Sequence, residues 1–181
     1  MKIKEELLAE IRVFKAPELA KQILKSHQIA ELVTLALERD PLLSSRAIWI
    51  LSHCSDIDQT CVKPYYSSLI LNLKNKQLHD GVIRSTLRLF QEQEVPIEHQ
   101  SFLLDKCYEY IKNPSEAIAI RSFAITVIYN ISKPYPELLY ELKLLLTHLK
   151  TNESSPGMLS KLKKTEALIN KNNLSLYKKS Y

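Results

Sequence analysis

His53 and Cys54 are adjacent, and Asp56 and Asp58 follow within five residues. An imidazole beside a thiol, with a carboxylate to orient the ring, is the raw material of a cysteine nucleophile. That chemistry needs groups converging in space, which one local cluster does not establish. The same residues suit a plainer arrangement: a buried cysteine, and a surface histidine near a helix C-terminus where positive charge is favoured. The other histidines (His27, His79, His99, His148) are scattered, and Cys61 and Cys107 complete no CxxC. Nothing stands at zinc-ligand spacing, and no P-loop, GxGxxG or GxSxG occurs. The expectation is a chain with no catalytic, cofactor-binding or metal-binding residues.

A second stretch, Ser154-Ser155-Pro156-Gly157-Met158-Leu159-Ser160-Lys161, faintly resembles the SSxMPxK loop of the adenylosuccinate lyase and fumarase superfamily. Its methionine comes one place late and no proline follows. That family also needs a far longer chain, whose long helices build active sites shared between subunits. A lyase reading therefore hangs on this loop alone, and a loop leading into a final helix explains the same residues.

The arginines carry more information. Arg46, Arg84 and Arg121 lie 38 and 37 residues apart, each following a helix-starting residue: Asp40-Pro41, Asp80-Gly81 and Asn113-Pro114. Each opens an apolar run about one helix long. A fixed period of this size signals stacked supersecondary units. Prolines act as punctuation: all eight fall where an apolar helical pattern begins or where two meet, and proline is tolerated in a first helical turn. Asp40, Asn113 and Ser155 precede prolines and are suited to N-capping. Only two glycines occur, and no segment alternates at period two, so the chain reads as all-α.

The periodicity predicts about ten helices. They are Ile3 to Phe14, Pro17 to His27, Gln28 to Arg39, Leu42 to Cys54, Pro64 to Lys74, Asp80 to Gln93, Ile97 to Lys112, Ser115 to Ile131, Pro136 to Lys150 and Gly157 to Asn170. In the ninth, Leu138, Leu142, Leu145 and Leu149 form a stripe that one side must cover. Short connections make successive helices antiparallel neighbours. Residues 1–170 are expected to form a single domain, and the lysine-rich stretch 171–181 a flexible tail.

An acidic or amide cap, an arginine a few residues on, then small and apolar residues on the second helix of a pair resembles HEAT and armadillo-type repeats. The resemblance implies a right-handed α-α superhelix of about five helix pairs, with an inner groove and Asp–Arg ladders between units. It covers residues 28–132 best. In such a groove Arg46, Trp49, His53, Arg84, Arg88 and Arg121 would line one strip, suited to acidic protein segments or a phosphate backbone. A lone aromatic such as Trp49 more often packs in the core, and its sequence context allows either placement. Some HEAT-like proteins are alkylpurine DNA glycosylases holding a tryptophan, an aspartate and an arginine there. Here the helices offer no aspartate beyond Asp40 and Asp80, which gives that catalysis no support.

Charge divides the chain. Of 25 Lys and Arg, seven lysines lie from Lys150 onward, leaving 18 before it; of 20 Asp and Glu, only Glu153 and Glu166 do, also leaving 18. The net charge of +5 thus sits entirely in the last 32 residues. No apolar run reaches bilayer length, and three cysteines with no secretory signal suit a cytoplasmic location. The leading expectation is a non-enzymatic scaffold holding a protein or peptide in its groove. The runner-up is a nucleic-acid binder using the groove arginines and the basic C-terminus.

Overall fold

The computed structural model describes residues 3–9 and 15–179, with side chains to Asn172. Ile11 and Phe14 of the predicted first helix lie outside the described residues. Ten α-helices and no strand are present among the described residues: α1 (Ile3–Leu8), α2 (Ala16–Lys25), α3 (Ile29–Ala36), α4 (Pro41–Ile57), α5 (Tyr66–Asn72), α6 (Asp80–Phe90), α7 (Ile97–Lys112), α8 (Ile118–Ser132), α9 (Pro136–Asn152) and α10 (Pro156–Lys179). A 3-10 turn, Lys63–Tyr65, precedes α5. The last helix continues well past Asn170, where the periodicity ended it. No helix among the described residues is long and apolar enough to cross a membrane.

Local chemistry sets the boundaries. The Asp40 carboxylate accepts the Leu42 and Leu43 amides at 2.9 and 3.0 Å and starts α4, with Pro41 in the first turn. α2 ends in a left-handed residue, His27 at φ 54°. Around it the Gln28 amide donates to Ile23 and the His27 amide to Leu24, closing the helix's orphan carbonyls. At α6 the cap is His79 rather than Asp80: its Nδ1 accepts the Gly81 amide at 3.0 Å. Asn113 does not cap a helix from Ser115. It accepts the Ser115 amide in a tight turn, and α8 begins only at Ile118.

The contacts group into two compact units, 1–99 and 100–181. In the first, α4 packs against α1, α2, α3 and α6. Nine of its 17 residues and eight of the 11 in α6 are buried, against four of ten in α2, so α4 and α6 are the enclosed helices. In the second unit α8 buries eight of 15 residues and α9 only three of 17. Of the α9 stripe, Leu142 is buried along with Leu139 and Leu146, while Leu138, Leu145 and Leu149 stay half-buried.

Side-chain bonds reveal helix direction. Ser52 and Ser55 of α4 meet Arg88 and Gln93, at the end of α6 and just beyond, so α4 and α6 run the same way. Thr126 and Lys133 meet Lys161 and Asn172, so α8 and α10 run in parallel too. Lys143 and Thr147 of α9 meet Asn170 and Glu166 of α10 in reversed order, which makes that pair antiparallel. Alternate helices parallel and successive helices antiparallel is the signature of stacked helix pairs.

Candidate partner-binding face

Because α4 and α6 are covered on most sides, each keeps only a narrow edge toward solvent. On α4 that edge carries Leu42, Arg46, Trp49, His53 and Asp56; on α6 it carries Asp80, Arg84 and Arg88. Four of these residues lock together. The Trp49 and His53 rings pack edge-to-face at 5.5 Å. His53 Nδ1 lies 3.4 Å from the Asp56 carboxylate, which also accepts Arg88 at 2.7 Å. A second Arg88 nitrogen donates to the Ser52 hydroxyl at 2.6 Å. Trp49 is half-buried.

Three arginines stand apart from that cluster. Arg46 Nη1 donates to the carbonyls of Leu7, Leu8 and Ala9 at 2.8, 3.2 and 2.9 Å, closing the C-terminal end of α1. Arg121 belongs to the second unit, where it is buried against Glu153 at 2.9 Å. Arg84 is exposed, with no acidic partner among the described residues. The expected Asp–Arg ladder does not form at Asp40 or Asp80. Asp40 spends its carboxylate on its own helix, and the acids that arginines find, Asp56 and Glu153, lie elsewhere in the sequence.

The electrostatics argue against nucleophilic chemistry. Cys54 is buried, its Sγ donates to the Ala20 carbonyl at 3.8 Å, and burial pushes its thiol up to about 12. Cys61 rises to about 11 for the same reason, with Asp58 adding to it. Both are thiols, not thiolates, near neutral pH. His53 is half-buried rather than at the surface as expected. Burial, and then Arg88, hold its pKa below the ordinary value, and its Nε2 has no hydrogen-bond partner. Ser67 and His99 come within 2.7 Å, a contact that sequence spacing could not reveal, but both lie open to competing water. No His, Cys, Asp and Glu cluster among the described residues could hold a metal ion. Ser155 of the lyase-like loop is occupied as the cap of α10, accepting the Met158 amide at 3.4 Å.

A family model described as HEAT repeat domain matches residues 3–169. The chain belongs to the HEAT repeat family. No curated protein and no solved structure matches it. HEAT repeats are helical scaffolds that commonly mediate interactions, and the parallel second helices α4 and α6 of this HEAT-repeat chain fit that role. The solvent edge of those helices is the face on which Trp49, His53 and Arg88 converge.

Proposed function

We propose that this HEAT-repeat protein is a non-enzymatic scaffold that holds a segment of a partner protein along the α4–α6 edge. The observation carrying the reading is the pairing of a half-buried Trp49, fixed by His53, with a free arginine nearby. Gly81 sits against Ser45 and Arg88 against Ser52, so Trp49 on α4 falls level with Arg84 on α6. Tryptophan and arginine are the side chains most enriched among energetically dominant contacts, and a pre-fixed ring loses little entropy on binding. Arg84 supplies a planar fork for a carboxylate on the partner. Arg46, Arg88 and Arg121 have structural duties, so the groove arginines do not act as one cationic set; Trp49 and Arg84 are the proposed contacts.

Capture from a nuclease-treated cytoplasmic extract tests this, using immobilised wild type and the Trp49→Ala/Arg84→Glu variant. A protein retained by the wild type at raised salt and lost by the variant supports the reading. As the sole tryptophan, Trp49 should also shift its emission when that protein is added. Identical captured sets, or a partner that leaves the emission unmoved, would overturn it.

A further inference from the structure

The second unit carries a surface of a different kind. α8 contains no acidic residue, and α10 contains one, Glu166. That carboxylate is spent on α9, accepting Lys150 at 2.5 Å and Thr147 at 3.2 Å. Glu153, ahead of α10, is spent on Arg121. The seam where α8 and α10 lie parallel is therefore free of available carboxylates from either helix, while cations gather along it.

Lys161 reaches across the seam to the Thr126 hydroxyl at 2.6 Å, half-buried and with no carboxylate partner among the described residues. Lys164 stands one turn further along α10 and Lys171 two turns beyond that, both exposed. On the α8 side Lys133 lies over the Tyr129 ring at 5.1 Å, and its carbonyl accepts the Asn172 amide at 3.3 Å. Burial, and then Lys164, hold the Lys161 ammonium below the ordinary lysine range. A desolvated cation beside a like charge is an unfavourable arrangement that an incoming anion relieves.

We propose that the α8–α10 seam binds the phosphate backbone of a nucleic-acid strand through Lys133, Lys161, Lys164 and Lys171. Lys161 and Lys171 are ten residues apart, about 15 Å along the helix axis. Amphipathic helices that lie on lipid present a broad apolar face to it. Leu168 is the one large apolar side chain exposed among the described residues of α10, so a polyanion fits the seam and a bilayer does not.

The test is anisotropy of a fluorescein-labelled oligothymidylate titrated with the full-length protein over a salt series, with anionic phosphatidylserine vesicles as a parallel arm. Four lysine contacts give a log–log salt slope of about −2.8, and each of Lys164→Gln and Lys171→Gln lowers its magnitude by about 0.7. Lys161→Met, which keeps the methylene packing, weakens binding as well, whereas Lys25→Gln on exposed α2 leaves it unchanged. The proposal is overturned by absence of binding at low salt, by equal losses in Lys25→Gln and the seam variants, or by binding to vesicles without binding to oligonucleotide. None of these outcomes depends on Trp49 or Arg84.

Discussion

Arg121 of α8 and Glu153 ahead of α10 meet at 2.9 Å with 8% and 10% of their side-chain surface exposed. The other Glu153 oxygen accepts the Ser155 amide at 2.9 Å, at the point where the chain turns into α10. One carboxylate thus joins an enclosed helix to the start of the helix that completes the lysine seam. The Ser155 amide first, and the Arg121 guanidinium with it, hold the Glu153 carboxyl below its ordinary value. Removing one partner of a buried pair strands the other charge, at about 3 kcal/mol. Glu153→Gln should lose about that much in urea unfolding, and Arg121→Met/Glu153→Met should recover much of it. Because the folded carboxyl titrates low, its stabilisation is complete above the ordinary value and drains away as the pH falls through the folded one. Wild type should therefore lose its advantage over Glu153→Gln in acid; a constant gap would contradict the pair.

His53 runs the other way in origin but gives the same slope. Its folded pKa lies below the ordinary 6.5 through burial and then Arg88, so the unfolded chain takes up a proton more readily. Stability is full above the unfolded value and declines as the pH falls through it. Melting temperatures of the wild type should drop between about pH 7.5 and about pH 5.5, and His53→Gln should flatten that part of the curve. Trp49, with its ring 5.5 Å away, gives an independent fluorescence readout of the titration. A variant with an unchanged profile would mean that His53 stays solvated in the fold.

Helices were legible where the signal was local. Asp40 and Ser155 cap as their types predict, since an N-cap needs only the next few amides. Asn113 misled by the same local logic, because an Asx turn satisfies its carboxamide just as well. The period of the arginines exposed the stacking, yet it gave no hint of what each arginine holds. Arg46 needs the α1 carbonyls brought back from 37 to 39 positions earlier, and Arg88 an aspartate 32 positions back. Lys161 looked like one more solvated lysine until Thr126, 35 residues away, came alongside it. Composition shows where the excess charge lies, in the last 32 residues, but not which helix those lysines stand beside.

Gln93 was invisible for a related reason: a glutamine closing the helix predicted from Asp80 reads as solvent-exposed. It is 7% exposed and bridges two buried hydroxyls, accepting from the Tyr66 phenol and donating to Ser55 Oγ at 2.8 Å. Gln93→Leu would leave both hydroxyls unsatisfied, a loss of about 2–3 kcal/mol. In the Tyr66→Phe background the same substitution should cost about 1 kcal/mol less, since one orphan is gone. Strict additivity in that cycle would show that the bridge is absent.

A close approach between α4 and α6 rests on Gly81. A methyl built there would lie 2.8 Å from Ser45 Cβ and 3.0 Å from the His79 Nδ1 that caps α6. The first contact is between two backbone-anchored carbons, so no side-chain rotation relieves it. The second displaces the cap itself. Gly81→Ala should therefore destabilise the first unit by about 1–3 kcal/mol, as overpacking does, despite alanine's better helix propensity. The background Ser45→Gly removes the 2.8 Å clash and should return the larger part of that loss, whereas His79→Asn, which keeps a capping oxygen, should return less. Thermal melts of the wild type and these three variants decide the matter: a neutral or stabilising Gly81→Ala would mean that Gly81 does not sit against Ser45, and the level placing of Trp49 and Arg84 would lose one of its two anchors.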